Sequence, residues 1–326
     1  MDSITQATLG AAVGYAVLGK KWGRKAALIG AVTGTLPDLD VVLLPFFDEL
    51  QKISIHRGFS HSILFSVVGG LVIAYFLKRI TWSRETHFAR IFLLTFLGLF
   101  THILLDTFTT YGTQLFLPFS DLRVSWDSIT IFDPLYTLPL LIGLFWSVFI
   151  LKRTSKYNAL PNQLGMVVSS LYLLFTLVHK GYVEKEIDRQ LTLQDIKYDQ
   201  MLSVPVVIGN VTWYGVVRDD TNLYLGKYNA LSDNNIKFEA FPINDDLLEG
   251  LNPYLIDRMK WFAQDFYTIL EADGKLRFYN LQCDMQGVRT IGDYRAPTAF
   301  FYEIDPLPNG NYKLTSGVHP KENGEK

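Results

Sequence analysis

The chain has 326 residues, of which 49% are hydrophobic, 14% aromatic and 19% charged, with a formal net charge of −2. That apolar and aromatic content excludes a disordered or fibrous chain, and the single cysteine, Cys283, excludes a disulfide scaffold. Basic residues confined to short loops give no face for reading nucleic acid, so no nucleic-acid partner is expected.

Charge is distributed unevenly. The first 180 positions hold 15 Lys/Arg and 10 Asp/Glu, a net +5, while the remaining 146 hold 15 and 22, a net −7. Two regions in two different solvents is the simplest account. The expected organisation is a membrane-embedded helical domain over 1–180, a connecting helix or linker over 181–200, a water-soluble domain over 201–320 and a loose tail over 321–326. The fold class follows: an all-α polytopic membrane domain of four to six apolar helices, then a small α+β domain.

In chain order, six apolar stretches occupy residues 4–18, 26–47, 62–77, 91–108, 129–151 and 164–178. A helix needs about 20 apolar residues to span a bilayer, so the second, fourth and fifth suffice and the first and third are short. The opening residues carry no basic n-region and do not read as a cleaved signal peptide. Basic residues follow the first stretch (Lys20, Lys21, Arg24, Lys25), the third (Lys78, Arg79, Arg84, Arg90) and the fifth (Lys152, Arg153, Lys156), whereas the alternate loops carry only Lys52, Arg57 and Arg123. The positive-inside rule puts the first group in the cytoplasm, and the C-terminal domain outside it. Beyond residue 200, segments 204–208, 211–218, 222–228, 236–241, 275–279 and 298–304 have strand composition, and 251–270 has a helical pattern.

Ionisable residues beside apolar segments are costly and usually functional. Asp38 and Asp40, in Thr35-Leu-Pro-Asp-Leu-Asp, converge on a cation if the backbone turns at Pro37; otherwise they cap a helix end. His56 and His61 flank Gly58, whose freedom allows two imidazoles to meet at a metal. The alternative is an interfacial pair at the headgroups. His102 and Asp106 lie four apart, on one helix face, as co-ligands, as a ligand with its orienting partner or as a packing pair. Asp133-Pro134 has the form of a helix N-cap and only secondarily of a ligand. Asp2, Gln6 and Arg57 are possible supporting residues, Arg57 as a phosphate contact or a headgroup anchor. His87, His179 and His319 have no carboxylate at ligand spacing.

Taken together, Met-Asp-Ser-Ile-Thr-Gln-Ala-Thr-Leu-Gly at the start, Gly34-Thr-Leu-Pro-Asp-Leu-Asp40, His56-Arg-Gly-Phe-Ser-His61-Ser, His102-Ile-Leu-Leu-Asp106-Thr-Phe-Thr-Thr-Tyr-Gly112 and Asp133-Pro-Leu-Tyr136 resemble the inner-membrane metal-dependent hydrolase family, the YdjM-like proteins, over roughly residues 1–180. The resemblance implies a multi-pass protein of the bacterial inner membrane and a metal-dependent hydrolase. It also implies distant similarity to zinc-dependent phospholipase C, in which a His-x-x-x-Asp helix helps hold zinc; His102 and Asp106 match that piece. This chain departs from the pattern at Gln6, where many members carry His, and Met1 offers no counterpart to the phospholipases' N-terminal tryptophan.

The resulting expectation is a divalent metal, zinc first, with Mn or Fe also suited to mixed His and carboxylate donors. It would be held by Asp38, Asp40, His56, His61, His102 and Asp106 at the extracytoplasmic surface. The bilayer is the expected partner, and a phospholipid or other phosphodiester the expected substrate. A non-catalytic membrane protein with a structural cluster and a partner-binding external domain is the other reading. A transporter would spread its charges through mid-membrane, whereas here they bunch toward one side.

Overall fold

The structure, a computed structural model, describes residues 1–232, 235–282, 285, 288–291, 294–307 and 311–319. Cys283 and the expected tail at 321–326 lie outside them. The chain divides into two compact units, Met1–Leu44 with Ile55–Val178, and Pro45–Ser54 with His179–Lys326.

The first unit is helical. Asp2 starts α1 (Ser3–Trp22) by accepting the N–H groups of Ile4 and Thr5 at 3.1 and 3.0 Å. Gly23, at φ 59°, turns the chain straight into α2 (Arg24–Thr35). The two helices run antiparallel with Gly10 and Gly14 against Gly30 and Gly34; a Cβ on Gly34 would lie 2.8 Å from both the Gln6 carbonyl oxygen and the Gly10 Cα. Small residues permit this backbone approach, the usual device of helices packed in lipid. Pro37 stops α2, and Pro37–Val42 continues as a 3-10 turn. The chain leaves this unit over Pro45–Ser54, which holds most of α3 (Glu49–Ile55), and on its return Ser62 caps α4 (Ile63–Arg79) by accepting the Phe65 N–H at 3.0 Å. Antiparallel to it packs α5 (Phe88–Asp106), where Thr95 Oγ1 donates to the Gly70 carbonyl at 2.8 Å. Asp133 caps α6 (Pro134–Phe145), which runs on through a π-turn at Trp146–Ile150, and α7 (Leu160–Leu193) follows.

Among the described residues two helices, Phe88–Asp106 and Leu160–Leu193, are long and apolar enough to cross a membrane. The count rises to four if Arg24–Thr35 with Pro37–Phe46 and Glu49–His61 with Ile63–Arg79, bent by 49° and 54°, each form one span. The four to six apolar helices expected from hydropathy thus become two to four candidate spans. Proline breaks the second stretch, Pro134–Ile150 is a shorter apolar helix, and α1 buries 13 of its 20 residues against its neighbours. The unit turns apolar side chains outward: Phe76, Leu138, Ile142, Leu171 and Leu174 are exposed. Its three basic connections meet at one end, where Lys21 Nζ donates to the Glu85 carbonyl, Trp22 Nε1 to Thr86 Oγ1, and Arg24 lies over the Phe149 ring.

The second unit is rich in antiparallel sheet. Strands β1 (Gln200–Pro205), β2 (Thr212–Arg218), β3 (Asn222–Asn229) and β4 (Phe238–Pro242) form one sheet in that order. Val183, Ile187 and Leu191 of α7 pack with Trp213, Val217 and Tyr228 of this sheet. Gly215 makes room for the helix, since a Cβ there would sit 2.8 Å from Ile187 Cδ1. After α8 (Pro253–Ala263), strands β5 (Tyr267–Ala272), β6 (Lys275–Asn280), β9 (Phe300–Pro306) and β10 (Tyr312–Val318) form a second sheet in the order β10-β9-β6-β5. A short hairpin joins β7 (Arg289–Ile291) and β8 (Tyr294–Ala296). The helical pattern expected over 251–270 stops at Ala263 because Gln264 and Asp265 adopt left-handed conformations, φ 46° and 66°, and the chain re-emerges as β5. Likewise, α7 absorbs most of the expected linker, running without interruption to Leu193.

Candidate metal centre

Four side chains meet at the end of the first unit opposite its basic connections. Asp38 comes from the 3-10 turn behind Pro37, and His61 from a second 3-10 turn (Phe59–His61). That second turn is entered through Gly58 and through Arg57 in a left-handed conformation, φ 54°. His102 and Asp106 sit one turn apart near the C-terminus of α5. The donor atoms of these four all lie within 4.8 Å of one another.

The individual separations say more. His61 Nε2 and His102 Nε2 are 3.2 Å apart, and each is 3.4 Å from Asp38 Oδ1. Asp106 Oδ2 is 3.4 Å from His61 Nε2 and 3.6 Å from His102 Nε2. A tetrahedral ion with ligand bonds of ~2.0–2.2 Å requires donor-to-donor edges of about 3.3–3.6 Å; the four His–carboxylate edges fall in that range and the Nε2–Nε2 edge, 3.2 Å, lies just below it.

Hydrogen bonding on the far side of each imidazole points the same way. His102 Nδ1 is 2.6 Å from the Gly34 carbonyl, which can only accept, so Nδ1 carries the proton and a neutral ring turns its Nε2 lone pair inward. His61 Nδ1 is 3.0 Å from Ser60 Oγ, whose own proton goes to Asp40 Oδ2 at 3.4 Å, leaving the Ser60 oxygen to accept from His61. With the rings singly protonated, both Nε2 lone pairs face the same point as two carboxylate oxygens. Asp106 Oδ2 is buried with no hydrogen-bond partner, while its Oδ1 accepts from Gln6 Nε2 at 2.8 Å and from the Met1 α-amine at 2.5 Å. Electron pairs converging on one point in a buried site call for a cation there.

The remaining residues singled out in the sequence take other places. Asp40 lies behind His61, accepting the Arg57 backbone N–H at 2.9 Å and standing 3.4 Å from His56 Nδ1. His56 packs edge-on to Tyr111 and stays outside the four-donor group. Arg57 holds its Nε 3.3 Å from Asp106 Oδ2, donates to Thr109 Oγ1 at 2.8 Å and lies over the Tyr111 ring. Gln6 supports Asp106 directly. Asp2 and Asp133 are helix caps, Asp133 also accepting from the Tyr172 hydroxyl at 2.7 Å. Sequence reasoning did not find the Gly34 carbonyl, Ser60 or the Met1 amine. All three sit inside quoted motifs, but a main-chain carbonyl, a hydroxyl and an α-amine act here through local geometry that no spacing rule reports. His61, His102 and Asp106 are buried, whereas the Asp38 side chain is 24% exposed and, with His56, opens the group to the surface.

Helices that expose their apolar faces and bury a cluster of His and Asp define a membrane protein with a possible metal site. Residues 1–183 match the family described as YdjM inner membrane protein, and the chain belongs to that family. It is 34% identical to the uncharacterized protein YfhP of Bacillus subtilis (strain 168) over 141 residues, 41% of this chain and 42% of that one. It is 31% identical to the inner membrane protein YbcI of Escherichia coli (strain K12) over 122 residues, 37% of this chain and 69% of that one. The match thus spans about two fifths of YfhP. No solved structure matches the chain.

Proposed function

We propose that this protein is a multi-pass, metal-dependent hydrolase of the inner membrane, with Asp38, His61, His102 and Asp106 holding a divalent ion, zinc first, at the extracytoplasmic end of the helical unit. The observation that carries the reading is the buried Asp106 Oδ2, 3.4 and 3.6 Å from two imidazole Nε2 atoms with the Arg57 Nε 3.3 Å away, beside an opening at Asp38. A bound divalent ion supplies Lewis-acid polarisation of a phosphoryl or acyl oxygen. Arg57, permanently cationic, fixes Asp106 and brings positive charge to the opening, which suits a phosphodiester or lipid-linked ester presented at the bilayer surface. Asp40 and Ser60 fix the ring of His61 from behind. The C-terminal sheets face the same extracytoplasmic side by the positive-inside rule, and the distant similarity to zinc-dependent phospholipase C rests on the His102–Asp106 helix.

One observation favours a second reading. Four protein donors lie within 4.8 Å of one another, the number that closed structural sites use, whereas catalytic zinc keeps a position open. On that reading the ion locks the helix ends together and the external domain binds a partner.

Elemental analysis of the detergent-purified full chain, beside His102→Ala/Asp106→Ala, tests the site. About one equivalent of metal in the parent and none in the folded double variant is expected; no metal in either after reloading overturns both readings. Turnover of phosphodiester or phospholipid substrates that the double variant lacks then separates enzyme from structural site.

A further inference from the structure

At the opposite end of the helical unit, the three basic connections surround a recess of about 530 Å³ lined by Tyr15, Trp22, Arg24, Lys25, Phe149 and Arg153, among others. None of Arg24, Lys25, Lys152 and Arg153 has a carboxylate within ion-pair distance among the described residues. Arg24 and Lys25 instead lie over the Phe149 and Trp82 rings, 4.9 and 4.6 Å from their centroids. The polar groups of the floor are already used: the Tyr15 hydroxyl is 2.6 Å from Asn158 Oδ1 and Trp22 Nε1 donates to Thr86. The recess also receives the N-terminus of the 12-residue α2, whose Gly23 N-cap provides no side-chain acceptor; the Ala26 N–H donates to the Gly23 carbonyl at 3.0 Å, which leaves those of Arg24 and Lys25 for an anion.

A second cavity, about 400 Å³, shares Arg24, Lys25, Val148 and Phe149 with the first and leads away along Ala11, Ala27, Leu28, Ala31 and Leu144. Its floor is narrow-sided because three alanines lie where larger residues would close it, and apart from the two shared cations it is apolar.

A cationic recess continuous with an apolar furrow on a helical membrane unit matches one molecular shape: a charged head joined to a hydrocarbon tail. We propose that this end of the helical unit is a binding site for an anionic diacyl phospholipid, with the phosphodiester among Arg24, Lys25, Arg153 and the N-terminus of α2, and one acyl chain along Ala27, Ala31 and Leu144. Juxtamembrane basic pockets between helices recognise acidic headgroups in this way. The inference does not depend on the hydrolase reading, whose donors occupy the other end.

The test titrates dioleoyl phosphatidylglycerol, dioleoyl phosphatidylcholine or inorganic phosphate into the delipidated, detergent-purified full chain and follows the thermal midpoint. Phosphatidylglycerol is expected to raise the midpoint saturably, at a concentration at least tenfold below that needed for phosphatidylcholine, and phosphate to leave it unmoved. Arg24→Gln/Arg153→Gln should abolish the preference, and Ala31→Phe, which fills the furrow, should weaken phosphatidylglycerol at least fivefold. A parent-like far-UV circular dichroism spectrum and a single cooperative transition without lipid report intact folding in each variant. Equal response to the two lipids, a shift by phosphate alone, or an unaltered response in either variant would overturn the proposal.

Discussion

The two units solve the same problem with opposite distributions. In the C-terminal unit Trp213, Tyr228, Tyr267, Phe262 and Phe278 are fully buried, and ion pairs such as Lys275–Glu303 and Lys260–Asp245 lie toward the surface. In the helical unit Phe76, Ile142, Leu171 and Leu174 face outward, while His61, His102, Asp106 and Arg57 are buried. Both units bury apolar side chains, Leu18, Ile91, Leu94 and Leu99 among those of the helical one. Only where the surroundings are hydrocarbon, however, does leaving further apolar side chains outside cost nothing, so that the polar cluster is what is withdrawn from the surface.

The contrast can be broken most directly at its aromatic pole. Trp213→Ala removes the largest side chain of the β1–β4 core and should cost about 3–5 kcal/mol in denaturant unfolding of the full chain. Phe76→Ala, at a residue 64% exposed, should change stability in detergent by less than about 0.5 kcal/mol. Comparable losses at both would show that Phe76 is packed against protein rather than facing hydrocarbon. A smaller effect, about 1–3 kcal/mol, is expected from Gly30→Ala, whose Cβ would press on the Gly10 backbone. Gly215→Ala meets side chain rather than main chain, at Ile187 Cδ1, Cγ2 and Cγ1, and should cost less, with thermal midpoints of both variants as the readout.

Carboxylates sharpen the comparison further. Asp133→Ala removes a helix cap and should cost about 1 kcal/mol while leaving metal content unchanged, in contrast to loss of Asp106. Metal lost from Asp133→Ala would extend the centre beyond its four donors. The smallest effect is a pH response in the sheet unit. Burial, with a contribution from Arg277, lowers the pKa of His319, whose Nε2 is 2.9 Å from the Tyr279 hydroxyl. The folded state then binds the proton less readily than the unfolded chain. This contribution to stability is fully present above about pH 6.5 and is lost as pH falls below it. His319→Leu should flatten the dependence of the unfolding midpoint between pH 7.5 and 5; a slope identical to the parent's would remove His319 as its source.

Much of this was legible in the residues. Hydropathy marked the helical unit, and period-two patterns placed β2, β3, β6 and β9 within a few positions. The spacing of His102 and Asp106 put them on one face of α5. What was not legible depended on backbone geometry. Asp38 joins the cluster and Asp40 backs it because a 3-10 turn at Pro37 rotates them apart, and composition around 38–40 does not distinguish the two. Strand β5 was hidden because its start is signalled by left-handed Gln264 and Asp265 rather than by glycine or proline. Helix α7 passes from apolar to polar sequence without a break, since hydropathy changes at Lys180 but no residue there interrupts the backbone hydrogen bonds.

The glycine contact between α1 and α2 has a genetic corollary. Where a side chain is enlarged against another side chain, a second substitution that shrinks the neighbour can restore the fit. At Gly10, Gly30 and Gly34 the neighbour is main chain, which no codon can trim. Suppressors of a defect there would have to arise at residues that let the whole helix move aside, which makes this hairpin the segment of the unit with the fewest routes back from a single base change.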